Sequence, residues 1–212
     1  AEQLLPLFHP QTLVLGFIPS DIKRTHYKVR TGVNKPFFQL SGDGELQAMN
    51  VPVPPTKPKK EDLGWFRSLF GRSFFVDWCM KHTGHYNWWN LGRWGSELVH
   101  RDGVEVSARL LHRIDVHCKE QAISLVVLIQ YNKRHILNPD SKDMQLVRSL
   151  LEHDAVSALP VLDTFAPMQA LTEEYGEQAL AKLYDESHMS PDGNRYIAGL
   201  LAQHLASLKS KG

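Results

Sequence analysis

Several features that define specialised protein classes are missing from this 212-residue chain. Only two cysteines occur, Cys79 and Cys118, so the sequence predicts neither a disulfide framework nor a CxxC zinc site. There is no run of about 18 uncharged apolar residues and no signal-peptide pattern, which predicts a soluble chain. The formal net charge is only +1, which disfavours general nucleic-acid binding. No cofactor is predicted.

Buried strand patterns alternate with helical patterns along most of the chain. Continuous apolar runs at 12–18 and 123–129 are typical of strands covered on both faces, and a shorter run at 159–163 predicts a third strand. Apolar residues at helical spacing separate and follow these strands, at 106–118, 144–151 and 197–208. This order predicts an α/β fold, a flavodoxin-like three-layer parallel sheet with crossover helices, in a single domain 1–212.

Residues 22–103 do not follow this alternation and are predicted to form an insertion within the domain. They contain a turn at 41–44, a proline- and lysine-rich segment at 52–60 and many aromatic residues at 65–79. We interpret the last two as a solvated linker followed by one or two core helices, broken near Gly71. Contact with an anionic membrane surface is the less favoured interpretation.

Two clusters in or near the insertion have alternative interpretations. Three tryptophans indicate either a small aromatic core or a stacking surface for a sugar ring. They are Trp88, Trp89 and Trp94. Cys79, His82 and His85 are spaced by three residues, as metal ligands sometimes are, but four ligands in a clear loop geometry are lacking. The sequence therefore predicts no metal site.

The most informative motif is an aspartate three residues before a histidine, Asp185 and His188, just ahead of the last helical pattern. Ser190 as N-cap and Pro191 in the first turn predict where that helix begins. A carboxylate at this spacing can hold the imidazole Nδ1–H while Nε2 faces a nucleophile. The alternative is that Asp185 caps a local turn and His188 is a surface histidine.

The stretch 185–194 resembles the last block of the SGNH (GDSL-like) hydrolase family, in which a D-x-x-H pair precedes the C-terminal helix. Weaker similarity to other parts of that family, including the inserted segment of larger bacterial members, lies at 19–21, 35–52 and 161–167. The resemblance implies hydrolysis of an ester or an acetylated glycan, with Asp185 and His188 activating a serine. It also implies an extracytoplasmic bacterial location.

The chain departs from this family at the nucleophile, because the string Gly-Asp-Ser does not occur. Its first strand resembles the family's third, so we expect the first strands and the serine to lie outside this segment or on a second chain. Such a partner would cover 12–18, which would otherwise be an exposed apolar edge. Ser20 takes the place of an asparagine that donates to the oxyanion, and a hydroxyl can also donate.

Two other interpretations stay open. The chain is a noncatalytic SGNH-like module that binds a glycan or a partner, or Ser20 is itself the nucleophile. Ser20 follows the predicted carboxyl end of the first strand, the edge at which open parallel sheets form ligand sites.

Overall fold

The computed structural model describes residues 5–25, 27–30, 33–55, 69–71, 73–83, 97–98, 102–186 and 188–210. These residues divide into two compact units, one within 1–24 and 103–212 and the other within 25–102. The second unit covers nearly the same stretch as the predicted insertion. The lysine-rich part of the predicted linker at 57–60 lies outside the described residues, as do Trp65, Phe66, His85, Trp88, Trp89 and Trp94.

The strands that the structure describes are numbered in chain order. They are β1 (Thr12–Phe17), β2 (Tyr27–Arg30), β3 (Val33–Asn34), β4 (Phe37–Leu40), β5 (Leu46–Met49), β6 (Glu97–Leu98), β7 (Ser124–Ile129), β8 (Val161–Asp163), β9 (Tyr184–Asp185) and β10 (His188–Met189). The helices are α1 (Leu5–Phe8), α2 (Pro19–Arg24), α3 (Phe74–His82), α4 (Gly103–Glu120), α5 (Lys133–Leu137), α6 (Lys142–Leu151), α7 (Asp154–Ser157), α8 (Phe165–Tyr175), α9 (Glu177–Lys182) and α10 (Pro191–Lys209). Among the described residues, no helix is both long and apolar enough to span a bilayer.

The first unit is built on a parallel sheet of three strands in the order β1-β7-β8. All three strands lie within a residue or two of the apolar runs that predict them. Long crossover segments containing helices connect them, as parallel pairing requires. The predicted α/β class, with a parallel sheet and flanking helices, is confirmed.

Central strand β7 is covered on both of its faces. Neighbouring residues of a strand point to opposite faces, yet Val126 and Val127 are 0% and 1% exposed. The helices α2, α6 and α7 pack against α4, which also contacts β7, while α5 and α9 pack against α8. Core side chains from strands and helices are Ile22, Val106, Leu125, Ile129, Val147, Leu150, Met168, Leu180 and Ile197.

Strand β1 is an edge strand of this sheet. Within the described part of the chain it pairs with β7 alone, and its residues are half-buried or exposed. The bonds from Ser124 N to Gln11 O and from Gln130 N to Phe17 O show that the odd-numbered residues face β7. In a parallel pair the backbone groups of alternate residues point away from the partner strand. Those of Thr12, Val14 and Gly16 therefore point to the open side.

The second unit is formed by short antiparallel pairings. Strand β2 pairs with β3 and with β6, and β4 pairs with β5. The predicted turn lies between β4 and β5, where Gly44 has a φ of 84° and its N–H donates to the Ser41 carbonyl. Residues 50–55, which include the start of the segment interpreted as a linker, hold no strand.

The predicted core helix of the insertion is corrected by the structure. A helix does begin at Phe74, capped by the Ser73 hydroxyl, which accepts from Val76 N. However, none of the residues of α3 is buried, and the aromatic side chains of Phe74 and Phe75 are 84% and 70% exposed. Aromatic composition alone cannot distinguish a buried helix from one whose apolar face is presented to solvent or to a partner.

Helix α10 begins where the sequence predicts, with Ser190 as N-cap and Pro191 as its first residue. Its first turn lies very close to the preceding chain, because a Cβ placed on Gly193 would clash with the Leu183 carbonyl oxygen. Gly199, in the same helix, has nothing within 4 Å of such a Cβ.

We expect Gly193→Ala to lower the free energy of unfolding by about 2 kcal/mol or more, because a backbone carbonyl cannot yield as a flexible side chain can. Gly199→Ala is the matched control and should be neutral or stabilising by up to about 1 kcal/mol, the helix propensity of alanine over glycine. Urea unfolding measures both variants. Equal stability of the two would contradict the close approach at Gly193.

Candidate functional site

Segments of chain with polar side chains follow each parallel strand at its carboxyl end. Ser20 lies in α2 after β1, Tyr131 follows β7, and Asp163 ends β8. Because the strands are parallel, these residues meet at one edge of the sheet. In open parallel sheets this edge is where ligand sites form.

The Asp185–His188 motif forms a small hairpin attached to that edge. Asp185 of β9 pairs with His188 of β10, and Tyr184 pairs with Met189. The buried Tyr184 hydroxyl donates to the Tyr131 carbonyl over 2.7 Å and also contacts the Met168 sulfur at 3.3 Å. The hairpin is therefore fixed to the carboxyl end of the central strand.

The backbone after the hairpin is held by Ser190. Its hydroxyl donates to the Lys182 carbonyl over 2.7 Å and accepts from Gly193 N over 3.1 Å, while its N–H donates to the Leu183 carbonyl. His188 lies two residues before this cap, so the chain is constrained on both sides of the imidazole. At the turn, Glu186 has a φ of 56°, the left-handed region that non-glycine residues seldom adopt.

Both predicted catalytic side chains, Asp185 and His188, are exposed. The structure brings their backbones together, but no hydrogen bond joins the two side chains within the described residues. Their predicted roles as orienting carboxylate and general base stay predictions.

Ser20 is the second residue of α2 and is half-buried. Its hydroxyl makes no hydrogen bond within the part of the chain that the structure describes, and none links it to Asp185 or His188. The turn that carries it is fixed by Asp21, whose carboxylate accepts from Ile18 N over 3.1 Å and whose N–H donates back to the Ile18 carbonyl. Ser20 therefore shares an edge with the hairpin on a defined backbone, and its predicted oxyanion role is not decided by this geometry.

Tyr131 is a buried residue between these segments, and its ring packs against other rings. It is 2% exposed, and its ring meets those of Phe165 and His135 edge-on at centroid distances of 5.5 and 6.3 Å. Burial, and then the neighbouring Asp163 carboxylate, raise the pKa of Tyr131, so the phenol stays protonated. Even so, its hydroxyl makes no hydrogen bond of normal geometry with any described residue.

Sequence reasoning missed a partly buried polar cluster formed by His135, Asp143 and Lys23. His135 is 2% exposed, and its Nε2 lies 3.3 Å from Asp143 Oδ2, while its Nδ1 accepts from Asn132 N over 3.4 Å. Lys23 of α2 forms an ion pair with the other oxygen of Asp143. Both imidazole nitrogens are thus engaged, and the cluster ties α2, α5 and α6 together. The only sequence signal was a histidine placed shortly after the second strand.

Burial and charge in this cluster shift the pKa values of two groups. Burial lowers the pKa of His135 despite the opposing Asp143 carboxylate, so its ring is neutral at pH 7. Burial alone would raise the pKa of Asp143, but the hydrogen bonds from Lys23 and His135 outweigh it and lower that pKa. A neutral ring that donates to a carboxylate serves structure here rather than proton transfer.

The remaining histidines and cysteines do not assemble into a metal-binding group among the described residues. Cys118 is a buried free thiol and Cys79 a half-buried one. His117 lies 2.9 Å from Gln121 on the same helix face, and His82 Nδ1 lies 2.8 Å from the Trp78 carbonyl.

Comparisons of the chain with protein-family models, with characterised proteins and with solved structures returned no match. The resemblance to SGNH hydrolases therefore rests on the residues of the motifs themselves, chiefly 185–194.

Two buried tyrosines allow a matched test of how the hairpin is attached. Tyr184→Phe removes the donor to the Tyr131 carbonyl and should lower the free energy of unfolding by about 1 kcal/mol. Tyr131→Phe removes a hydroxyl that has no hydrogen-bond partner among the described residues and should be neutral or stabilising. Denaturant unfolding of both variants is the measurement. If Tyr131→Phe lowered the free energy of unfolding as much as Tyr184→Phe does, the Tyr131 hydroxyl would be shown to be hydrogen-bonded.

The cluster of His135, Asp143 and Lys23 predicts how stability depends on pH. Because the pKa of His135 is lowered in the folded state, the unfolded chain protonates more readily, and the unfolding free energy falls as pH drops below about 6.5. Asp143 affects stability in a different pH range. Its contribution to the free energy of unfolding is present above pH ~4 and is lost as pH falls through its lowered folded pKa.

His135→Gln keeps a donor for Asp143 but does not titrate. We expect it to flatten the decline of stability just below pH 6.5, measured by urea unfolding at a series of pH values. Exposed His112→Gln, on α4, is the control and should keep the wild-type profile. A wild-type slope in the His135 variant would assign the decline to other groups.

Proposed function

We propose that this chain supplies the Asp–His pair of an SGNH-type serine ester hydrolase, with esters or acetylated glycans as the substrate class. The observation that carries the proposal is the bond from the Tyr184 hydroxyl to the Tyr131 carbonyl, 2.7 Å long. It supports the proposal because the D-x-x-H hairpin is thereby held at the carboxyl edge of a parallel sheet, where ligand sites form.

The chemistry is acyl transfer to water. A serine oxygen attacks the ester carbonyl carbon while His188 Nε2 takes the serine proton, and that proton then passes to the leaving alcohol. Asp185 holds the imidazole tautomer and stabilises the imidazolium. Water, activated by the same histidine, releases the acid and restores the serine. In enzymes without substrate such hydrogen bonds are often long or unformed, which is compatible with the separate side chains of Asp185 and His188.

The serine belongs, on this proposal, to a strand beyond residues 1–212 or on a second chain that pairs with the open side of β1. The outward backbone groups of Thr12, Val14 and Gly16 support this pairing, as does the apolar character of the strand. Such a strand would extend the sheet toward the SGNH arrangement. Ser20, whose hydroxyl makes no hydrogen bond within the described ranges, would donate to the oxyanion.

A binding module without catalysis is the second candidate. It is favoured by the exposure of Asp185 and His188 and by the missing hydrogen bond between them within the described residues. A pair of this kind can still contact a glycan or a protein partner through its polar atoms.

A fluorophosphonate probe, which reacts with activated serines, separates the two candidates. On the whole protein as its gene encodes it, we expect labelling that slows roughly a thousandfold or more in His188→Ala and in Asp185→Asn. Asp192→Asn, an exposed carboxylate nearby in α10, is the control and should label at the wild-type rate. The labelled residue is identified by peptide mass spectrometry.

Each outcome of this experiment has a defined meaning. Labelling that is unaffected by His188→Ala rules out the proposed base. No labelling of the folded whole protein supports the binding module. Labelling of Ser20 itself, lost in Ser20→Ala, would make that residue the nucleophile instead of an oxyanion donor.

A further inference from the structure

Helix α2 carries Ser20 but is too short to hold a position by itself. It has six residues, Pro19–Arg24, and isolated helices shorter than about 12 residues are marginal in water. The position of α2 therefore depends on its tertiary contacts. Ile22, which is 1% exposed, packs into the core, and the helix packs against α6.

An ion pair also joins α2 to α6. Lys23 of α2 contacts one carboxylate oxygen of Asp143 in α6. Asp143 is itself fixed, because its side chain is only 14% exposed and its other oxygen lies 3.3 Å from Nε2 of the buried His135. A partly buried pair of this kind is screened by salt less than a surface pair is. It adds a directional contact to the apolar packing of α2.

This ion pair is made one turn away from Ser20. Residues three apart are neighbours on one face of a helix, as Ser20 and Lys23 are. Ser20 is half-buried, and its hydroxyl makes no hydrogen bond within the described ranges that would hold it independently of the helix. The position of the hydroxyl therefore follows the position of α2.

We infer that Lys23 and Asp143 are positioning residues for Ser20, because their ion pair holds α2 where the Ser20 hydroxyl would donate to the oxyanion. The inference rests on the proposed function, and neither positioning residue needs to touch the substrate. An oxyanion donor acts only when it lies about 2.7–3.1 Å from the charged oxygen. A shift of α2 by about 1 Å is therefore enough to remove much of its contribution.

A double-mutant cycle tests the inference, with the rate of fluorophosphonate labelling of the whole protein as the measurement. We expect Ser20→Ala to slow labelling roughly a hundredfold. Lys23→Met and Asp143→Asn should each slow it roughly tenfold. If the ion pair acts through Ser20, Lys23→Met causes no further slowing in the Ser20→Ala background. A general loss of structure would slow labelling in both backgrounds alike.

Two further variants control for charge and folding. Lys23→Arg keeps a cation that donates to the carboxylate and should label at close to the wild-type rate. Arg148→Met is the matched control on α6, because Arg148 is paired at 3.9 Å with Asp140, whose side chain is 92% exposed. It should label as wild type does. Urea unfolding checks that each variant is folded.

The outcomes separate this inference from the proposed function. No labelling of the folded wild-type protein contradicts the proposed hydrolase, and the positioning role with it. If the wild type labels but Lys23→Met keeps its rate, or slows labelling equally in both backgrounds, only the positioning role is overturned. Labelling of Ser20 itself also overturns that role, because Ser20 is then the nucleophile and not an oxyanion donor.

Discussion

Burial of β7 on both faces is the constraint on which the first unit depends. Val126 and Val127 point in opposite directions and are both almost completely buried, so side chains must cover each face of the sheet. At the carboxyl end of this strand apolar burial gives way to polar groups that must be satisfied. There the Ile129 carbonyl accepts from the Thr164 hydroxyl over 2.8 Å, and the Tyr131 carbonyl accepts from Tyr184.

The hydrogen bond from the Tyr184 hydroxyl to the Tyr131 carbonyl fixes the position of the motif beside it. On one side the hairpin is fixed to the central strand, and on the other Ser190 is bonded to the chain before the hairpin and to the first turn of α10. The backbone of Asp185 and His188 is thus constrained, although their side chains lie in solvent. The left-handed Glu186 between them is the kind of backbone strain that concentrates at functional sites.

Local signals explain what the sequence could predict. The strands β1 and β7 follow from continuous apolar runs, and the start of α10 follows from Ser190 and Pro191, because these are properties of neighbouring residues. The exposure of α3 could not be predicted, since the same aromatic residues suit a core. The cluster of His135, Asp143 and Lys23 also escaped, because it joins three helices through tertiary contacts that periodicity does not reveal.

The two histidines near the sheet edge show why the motif, and not burial, selects the candidate base. His135 has an acidic partner and a well-defined tautomer, but both of its nitrogens are engaged. His188 makes no hydrogen bond within the described residues, which leaves its ring accessible to a serine hydroxyl. If a serine is supplied beside β1, its strand must run parallel to β1, because only then does the residue that follows it emerge at the edge that holds Ser20 and the hairpin. An antiparallel strand would deliver its amino end there instead, so the orientation of the added strand follows from the chemistry proposed for it.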